Sequence, residues 1–523
     1  MSGVRQAKHG AALTYGKWGG LALLLLFMRP PSPHFLFVNE TIFAATARQM
    51  LMGSALYSGT MDWKGPLTYL AYGLVLKASD YSLVALHVFG IALVVLVMAS
   101  AARTTWLGMA RGRWLAAFFC LVVVAQTVGP AVEADLLMAA LSALGYLCFM
   151  TYLISQRPSR RLLVAAGLLE VAAICCKQVA VMDLCAMLLC CLVLNRASRT
   201  LRARALDSAT VLGGVALGAA ALVAFVLACS SLKDYLLYSW VLPSKATQCS
   251  LGERFERWYG FATTSLTPTA ILWALAAMGG LLWRRPDRGV AQSEPASLHT
   301  VSAVTGVWLL FATSGLLAFG DGLSYYLVAA AAPLAILATL GLLAIADAGQ
   351  RALSRLVAVV VAACLLTLAV PVRNCTWKWR DRVLPCAAPA PPAELAGLWL
   401  RAMTEPEDFV CVVDDNSAAL FWSERRSATR YVTYDLIAAQ ARARVAPVTR
   451  LERWGGGLPD PFAVLQSDVA SHRPKYLLLA EKAKWWDAAI EADPAGREAI
   501  RRLRATHRLL GWLPPYGVYE RPD

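Results

Sequence analysis

The sequence predicts an α-helical polytopic membrane protein with about eleven transmembrane helices, followed by a C-terminal extracytoplasmic α/β domain. Three observations carry that prediction. The 523 residues are 58% hydrophobic and only 16% charged, too little polar surface to cover a soluble core of this size. Apolar runs of about 17–22 residues recur from Trp18 to Val372, each long enough to cross a hydrocarbon layer as a helix that satisfies its own backbone. Beyond Arg373 the runs shorten to strand length and proline accumulates.

From the N-terminus, Arg5, Lys8 and Lys17 precede the first run. MRPPSPHF follows it instead of a small-residue cleavage site, so a retained helix is expected rather than a signal peptide. Arg103, Arg111 and Arg113 follow the second run, and Arg157, Arg160 and Arg161 the fourth. Arg196 to Arg204, Arg284 to Arg288, and Arg351 with Arg355 mark the later connections on the same side. The intervening loops are poor in basic residues, as in VGPAVEAD (Val128 to Asp135). The positive-inside rule then puts the N-terminus in the cytoplasm and the region after Val372 outside. The net charge of +15 speaks to this topology and to anionic lipid. No nucleic-acid-binding motif accompanies it. Of thirteen cysteines most lie in apolar runs; Cys375 and Cys386 face the oxidising side, where spacing alone does not establish a disulfide. With no CxxC pair and no histidine cluster, no zinc site is expected.

The first outer loop, residues 30–80, is too long for a plain connector. Asn39 suits an N-cap, and the helix that follows should end at Gly53. Phe43, Ala47, Met50 and Leu51 share one face, as in a helix lying in the interface plane. A second, nearly all-apolar helix should start at Pro66, proline being favoured at the first helical position. Residues 1–372 thus form the membrane domain, 373–394 a proline-rich linker, and 395–523 the outer domain. In the last, FVCVVDD, RYVTY and KYLLLAE read as strands, and PFAVLQSDVASH and KWWDAAIEA as helices. A mainly parallel sheet follows, closed by a hairpin in HRLLGWLPPYGVYER.

An ionisable residue in or beside a membrane helix is costly and is by default a functional candidate. Glu40, Arg48, Asp62 and Lys64 lie in the first loop. Glu133 and Asp135 sit where the third run turns into the fourth, Lys177 and Gln178 at the next outer turn, and Tyr325 with Tyr326 near the last. All fall on the predicted outer side. Such a face suits a carboxylate that takes a proton from a hydroxyl while cations hold a departing phosphate. The structural readings are a helix-N-terminal carboxylate for Glu40, a snorkelling lysine for Lys64 and belt aromatics for the tyrosines. A carrier or flippase for a lipid-linked or anionic solute is the alternative function. Transporters, however, place such charges near the bilayer midplane, whereas these lie at helix ends.

Asn39–Glu40, ATARQML with Arg48, GSALY ending at Tyr57, and DWKGPLTYL with Lys64 stand in an order that resembles the GT-C glycosyltransferases. EADLLMAAL, CCKQVAV and SYYLVAAAAPLAIL are similar to later motifs of the same class. Protein O-mannosyltransferases and the bacterial transferases that add aminoarabinose to lipid A share most of this pattern. The resemblance implies transfer of a sugar, with inversion, from a polyprenyl-phosphate donor to a glycan, lipid or protein acceptor. It places the reaction at the outer face of a bacterial inner membrane, with the C-terminal domain periplasmic. It makes a loop carboxylate the base. Asn39 departs from the family's aspartate, so the role passes to Glu40, or else Asp62, and Asn39 is left to hydrogen-bond a hydroxyl. Lys64, Arg48 and Lys177 are the implied phosphate contacts. Tyr57, Glu133, Asp135, Gln178, Tyr325 and Tyr326 are the implied substrate contacts. The resemblance leaves a divalent ion open.

Overall fold

A computed structural model describes residues 38–127, 132–155, 157–194, 200–246, 262–281, 297–319, 324–347, 355–369, 391–414, 417–434, 458–481 and 494–522, with isolated residues between them. The main helices are α1 (Val38–Leu51), α2 (Pro66–Ala78), α3 (Leu83–Gly108), α4 (Arg113–Thr127), α5 (Ala134–Ile154), α6 (Arg161–Ile174), α7 (Val181–Val193) and α8 (Leu201–Cys229). They continue with α9 (Ala270–Leu281), α10 (Ser297–Phe319), α11 (Ala331–Asp347), α12 (Pro392–Met403), α13 (Ala418–Ser423), α14 (Pro461–His472) and α15 (Pro494–Ala505). Among the described residues five helices are long and apolar enough to cross a membrane: Leu83–Gly108, Ala134–Ile154, Leu201–Cys229, Leu298–Gly315 and Leu327–Ala346. Four shorter apolar helices accompany them: Arg113–Thr127, Gln178–Val193, Thr267–Leu281 and Arg355–Ala369.

The chain divides into two compact units. The first comprises Met1–Pro31, His87–Ala220 and Ser250–Cys386. It is a bundle whose helices approach through small residues, as lipid-embedded helices do when packing rather than water exclusion drives association. A Cβ at Gly279 would collide with the Leu337 carbonyl, and one at Gly341 with the Leu275 carbonyl, so α9 and α11 cross backbone against backbone. Gly167 and Gly214 do the same for α6 and α8. Ser302 Oγ donates to the Gly279 carbonyl at 2.7 Å and ties α10 to the first crossing. Gly341→Val is expected to force α9 and α11 apart at a cost of about 3 kcal/mol or more, seen as a lower thermal unfolding midpoint in detergent.

The second unit comprises Ser32–Leu86, Ala221–Cys249 and Ala387–Asp523, so the first loop groups with the C-terminal domain. That domain is built on strands β1 (Phe409–Val413), β2 (Arg426–Ser427), β3 (Tyr476–Leu479), β4 (Arg508–Leu513) and β5 (Tyr516–Glu520), in spatial order β2-β1-β3-β5-β4. β1 pairs in parallel with β2 and β3, and Val410 stands opposite both Ser427 and Tyr476. β5 joins β3 antiparallel and returns to β4, so the expected hairpin is present and makes the sheet mixed rather than mainly parallel. Val410, Cys411, Leu477, Leu478 and Leu479 are fully buried, which is why these central strands read as unbroken apolar runs. α14 starts as its sequence asks, with the Asp460 carboxylate accepting from Phe462 N at 3.1 Å and proline at the first position.

Residues 430–434 differ from expectation. Tyr431 makes one bridge, to Met61, and the strand beside β1 is Arg426–Ser427. The alternation in RYVTY serves loop contacts: Ser417 Oγ donates to the Val432 carbonyl and Tyr434 N to the Asp414 carbonyl. The KWWDAAIEA helix and the Cys375–Cys386 pair lie outside the described residues.

Candidate functional site

In the second unit, α1 carries the first two candidates. It begins at Val38, so Asn39 lies inside the first turn, half-buried, rather than capping it. Glu40 follows, fully buried in that turn, where unsatisfied N–H groups favour a carboxylate. The helix ends as predicted. Gly53 takes φ +94°, and Ser54 N donates back to the Gln49 carbonyl at 3.0 Å.

The polar side of α1 is covered by residues of the C-terminal domain. Gln49 Nε2 donates to the Arg425 carbonyl at 2.9 Å, and its Oε1 accepts from Ser427 N at 2.9 Å. Arg48, 5% exposed, donates from Nη1 to the Phe421 carbonyl at 3.0 Å and pairs through Nη2 with Glu424 at 3.1 Å. Its guanidinium lies 4.2 Å from the Tyr81 ring centroid and 4.9 Å from that of Phe421. Burial lowers its pKa and Glu424 opposes that. Arg48 is therefore an anchor between α1 and α13, not a cation offered to a phosphate.

The DWKGP turn is a clamped structure. Tyr57 sits in left-handed backbone at φ 68° and is fully buried against Tyr235. Its hydroxyl donates to the Lys64 carbonyl at 2.8 Å, and Lys64 N donates to Tyr69 Oη at 3.0 Å. Asp62 Oδ1 accepts from Trp63 N at 2.7 Å. Tyr57 is thus occupied in holding the turn. Burial holds the Tyr57 and Tyr69 hydroxyls well above their ordinary range. Burial also raises the Asp62 carboxyl, against the Lys64 charge and the Trp63 N–H. The Lys64 side chain is half-buried, its ammonium 5.3 Å from the Trp63 ring centroid. Pro66 then starts α2 at the position predicted.

In the first unit, the structure brings two sequence candidates together. Lys177 Nζ donates to Asp135 Oδ1 at 2.5 Å, with Asp135 1% and Lys177 8% exposed. Asp135 stands in the first turn of α5, and Lys177 directly precedes the 3₁₀ turn Gln178–Ala180. Asp135 Oδ2 has no hydrogen-bond partner among the described residues. Glu133 is buried at the N-cap position of α5, and Gln178 is half-buried. Lys177 is therefore committed to a carboxylate instead of standing free for a phosphate. Tyr325 and Tyr326 belong to a 3₁₀ segment, Ser324–Ala330, whose backbone alone is described there.

Sequence reasoning missed a second buried acidic pair. Glu170 of α6 and Asp183 of α7 are 0% and 3% exposed. Ser142 Oγ of α5 donates to Glu170 Oε2 at 3.2 Å, and Asp183 faces Ser142 and Trp308. Tyr146 Oη donates to the Asp183 carbonyl at 2.8 Å while its ring stacks on Trp308, centroids 4.0 Å apart. The signal was present: each carboxylate interrupts an apolar run. No group of three or more His, Cys, Asp or Glu that could hold a metal occurs among the described residues.

No protein-family profile matches the sequence, and no curated protein matches it. Solved structures do match. ArnT from Cupriavidus metallidurans bound to undecaprenyl phosphate aligns over 98% of this chain and 98% of its own, at 13% identity and TM-score 0.58. The oligosaccharyltransferase AglB from Archaeoglobus fulgidus, in complex with an inhibitory peptide and a dolichol-phosphate, aligns over 97% of this chain and 74% of its own, at 11% identity and TM-score 0.56. The arabinofuranosyltransferase AftD from Mycobacteria covers 97% of this chain with 40% of its own, at 14% identity and TM-score 0.51. At these identities the likeness is one of fold alone: the chain has the fold shared by these solved transferases.

Proposed function

We propose that this chain, which has the GT-C fold, is an inverting glycosyltransferase of the bacterial inner membrane. It moves a sugar from a polyprenyl-phosphate carrier to an acceptor hydroxyl on a glycan, lipid or protein at the outer face. The observation that carries this reading is the Lys64 turn. One lysine is presented by a backbone clamped through Tyr57 and Tyr69, in a fold whose solved examples hold undecaprenyl phosphate and dolichol-phosphate. Such a cation stabilises the charge that grows on a phosphate leaving group.

Glu40 is the base in this reading. It takes the acceptor proton as the hydroxyl oxygen attacks the anomeric carbon and the carbon–oxygen bond to phosphate breaks. A single displacement of that kind inverts the anomeric centre. Asp62 fits the role less well, because one of its oxygens is spent on Trp63 N and burial disfavours its ionised form.

The test is release of polyprenyl phosphate, followed by mass spectrometry, from a panel of polyprenyl-phosphate sugars with membrane extract as acceptor. Release by the wild-type chain establishes the activity and names the donor. Counterflow of intact solute in proteoliposomes without chemical change assigns a carrier instead. Lys64→Gln is expected to weaken binding of undecaprenyl phosphate about tenfold or more, as loss of a hydrogen bond to a charged group does. Unchanged affinity would remove Lys64 from the site.

A further inference from the structure

Asp468 lies on α14, more than four hundred positions beyond Lys64 in sequence. Its carboxylate makes three contacts with one residue. Oδ2 accepts from Arg430 N at 3.1 Å and from Arg430 Nε at 3.0 Å, and Oδ1 accepts from Nη2 at 3.0 Å. Bidentate, charge-assisted pairing of this kind fixes orientation as well as adding energy. Here it fixes the backbone and the guanidinium of Arg430 together, and the pairing raises the arginine's pKa. Tyr238 also borders the guanidinium.

Arg430 in turn holds the first loop. Its carbonyl accepts from Met61 N at 2.7 Å, and Met61 bridges to Tyr431. Three residues on stands Lys64. The turn is thus pinned at its entry by Arg430 and at its exit by Tyr57 and Tyr69. The exit contacts come from the loop and α2, whereas the entry contact comes from the C-terminal domain. A lysine ammonium is a compact charge on a flexible stem, so where it can reach depends on where its backbone is held. A turn loosened at one end spreads the ammonium over more positions, and each binding event must order it again.

We infer that Asp468 is a positioning residue for the lipid-phosphate contact: through Arg430 it sets the turn that presents Lys64. The inference rests on the reading of Lys64 given above. It also assigns a task to the C-terminal domain, which supplies the anchor for the donor-binding turn. The competing view is that the Asp468–Arg430 pair only stabilises its own domain, and the two views separate in a double-mutant cycle.

The cycle compares wild type, Asp468→Asn, Lys64→Gln and the double variant as full-length chain in nanodiscs. Affinity is measured for undecaprenyl phosphate and for the uncharged undecaprenol. Asp468→Asn is expected to weaken the phosphate by about five- to tenfold, to leave the alcohol unchanged, and to add nothing once Lys64 is glutamine. Asp468→Glu, which keeps the carboxylate, should recover part of the loss. An equal loss for phosphate and alcohol, or an equal penalty in both Lys64 backgrounds, overturns the inference in favour of structural support. So does a silent Asp468→Asn when Lys64→Gln is impaired. If Lys64→Gln itself leaves phosphate affinity intact, the reading of Lys64 fails, and the inference falls with it by a separate observation. Should Asp468→Asn not fold, Arg430→Lys, which keeps the charge and loses the bidentate fork, replaces it in the same cycle.

Discussion

Glu40→Gln is expected to lower sugar transfer by about 10²–10⁴-fold, the span that loss of a positioned general base produces, while undecaprenyl phosphate continues to bind. The amide matches the carboxylate in shape, so the packing around buried Glu40 is little disturbed. It cannot accept a proton, and the attacking oxygen must then lose its own to water or to nothing. Donor affinity should persist because the phosphate contact is assigned to Lys64, on a separately clamped turn. Glu40→Asp should fall between, since the base is kept but withdrawn by one methylene. Single-turnover release of polyprenyl phosphate, measured beside equilibrium binding, separates these quantities. Wild-type turnover in Glu40→Gln would end the assignment, and Asp62→Asn then becomes the variant that must fail.

The parts of this fold legible in sequence were those decided by local rules. Pro66 opened α2, Gly53 closed α1, and the last strand pair was visible as a hairpin. β1 and β3 were visible because strands covered on both faces need no polar residue anywhere. What could not be read was the identity of the covering surface. The residues that satisfy Arg48 and Gln49, Phe421 to Ser427, lie over 370 positions away in the chain, beyond the reach of any local rule. The same distance hid the bond between Arg430 and Met61 and made RYVTY resemble a strand. In the candidate site, residue type singled out costly charges but not their partners. Lys64 remains a cation on a presented turn, whereas Arg48 and Lys177 proved to be bound by carboxylates. A sequence shows that a charge is costly; only the fold shows what offsets the cost. Glu170 and Asp183 illustrate the converse: 13 positions apart in sequence, they are joined in one cluster by Ser142 of a third helix.

Breaking the Asp135–Lys177 pair from either side is expected to destabilise the first unit by about 3–5 kcal/mol, the cost of stranding one buried charge. Lys177→Met leaves Asp135, 1% exposed, with neither oxygen bonded among the described groups. Asp135→Leu leaves an ammonium 8% exposed without its carboxylate. Both should unfold earlier in detergent and recover when combined, because an apolar pair of similar volume carries no stranded charge. The double variant also decides what the pair is for. Its two charges cancel locally, so a purely structural pair can be replaced and activity should return with stability. The geometry argues for a further role. Only one oxygen of Asp135 is needed to neutralise Lys177, and the other stands at a helix end with no hydrogen-bond partner among the described residues. A carboxylate held at a fixed angle by a lysine, with one oxygen to spare, is equipped to orient a sugar or acceptor hydroxyl. The expected outcome for Asp135→Leu/Lys177→Met is therefore restored stability with transfer still impaired. Full recovery of both would reduce the pair to a fold element.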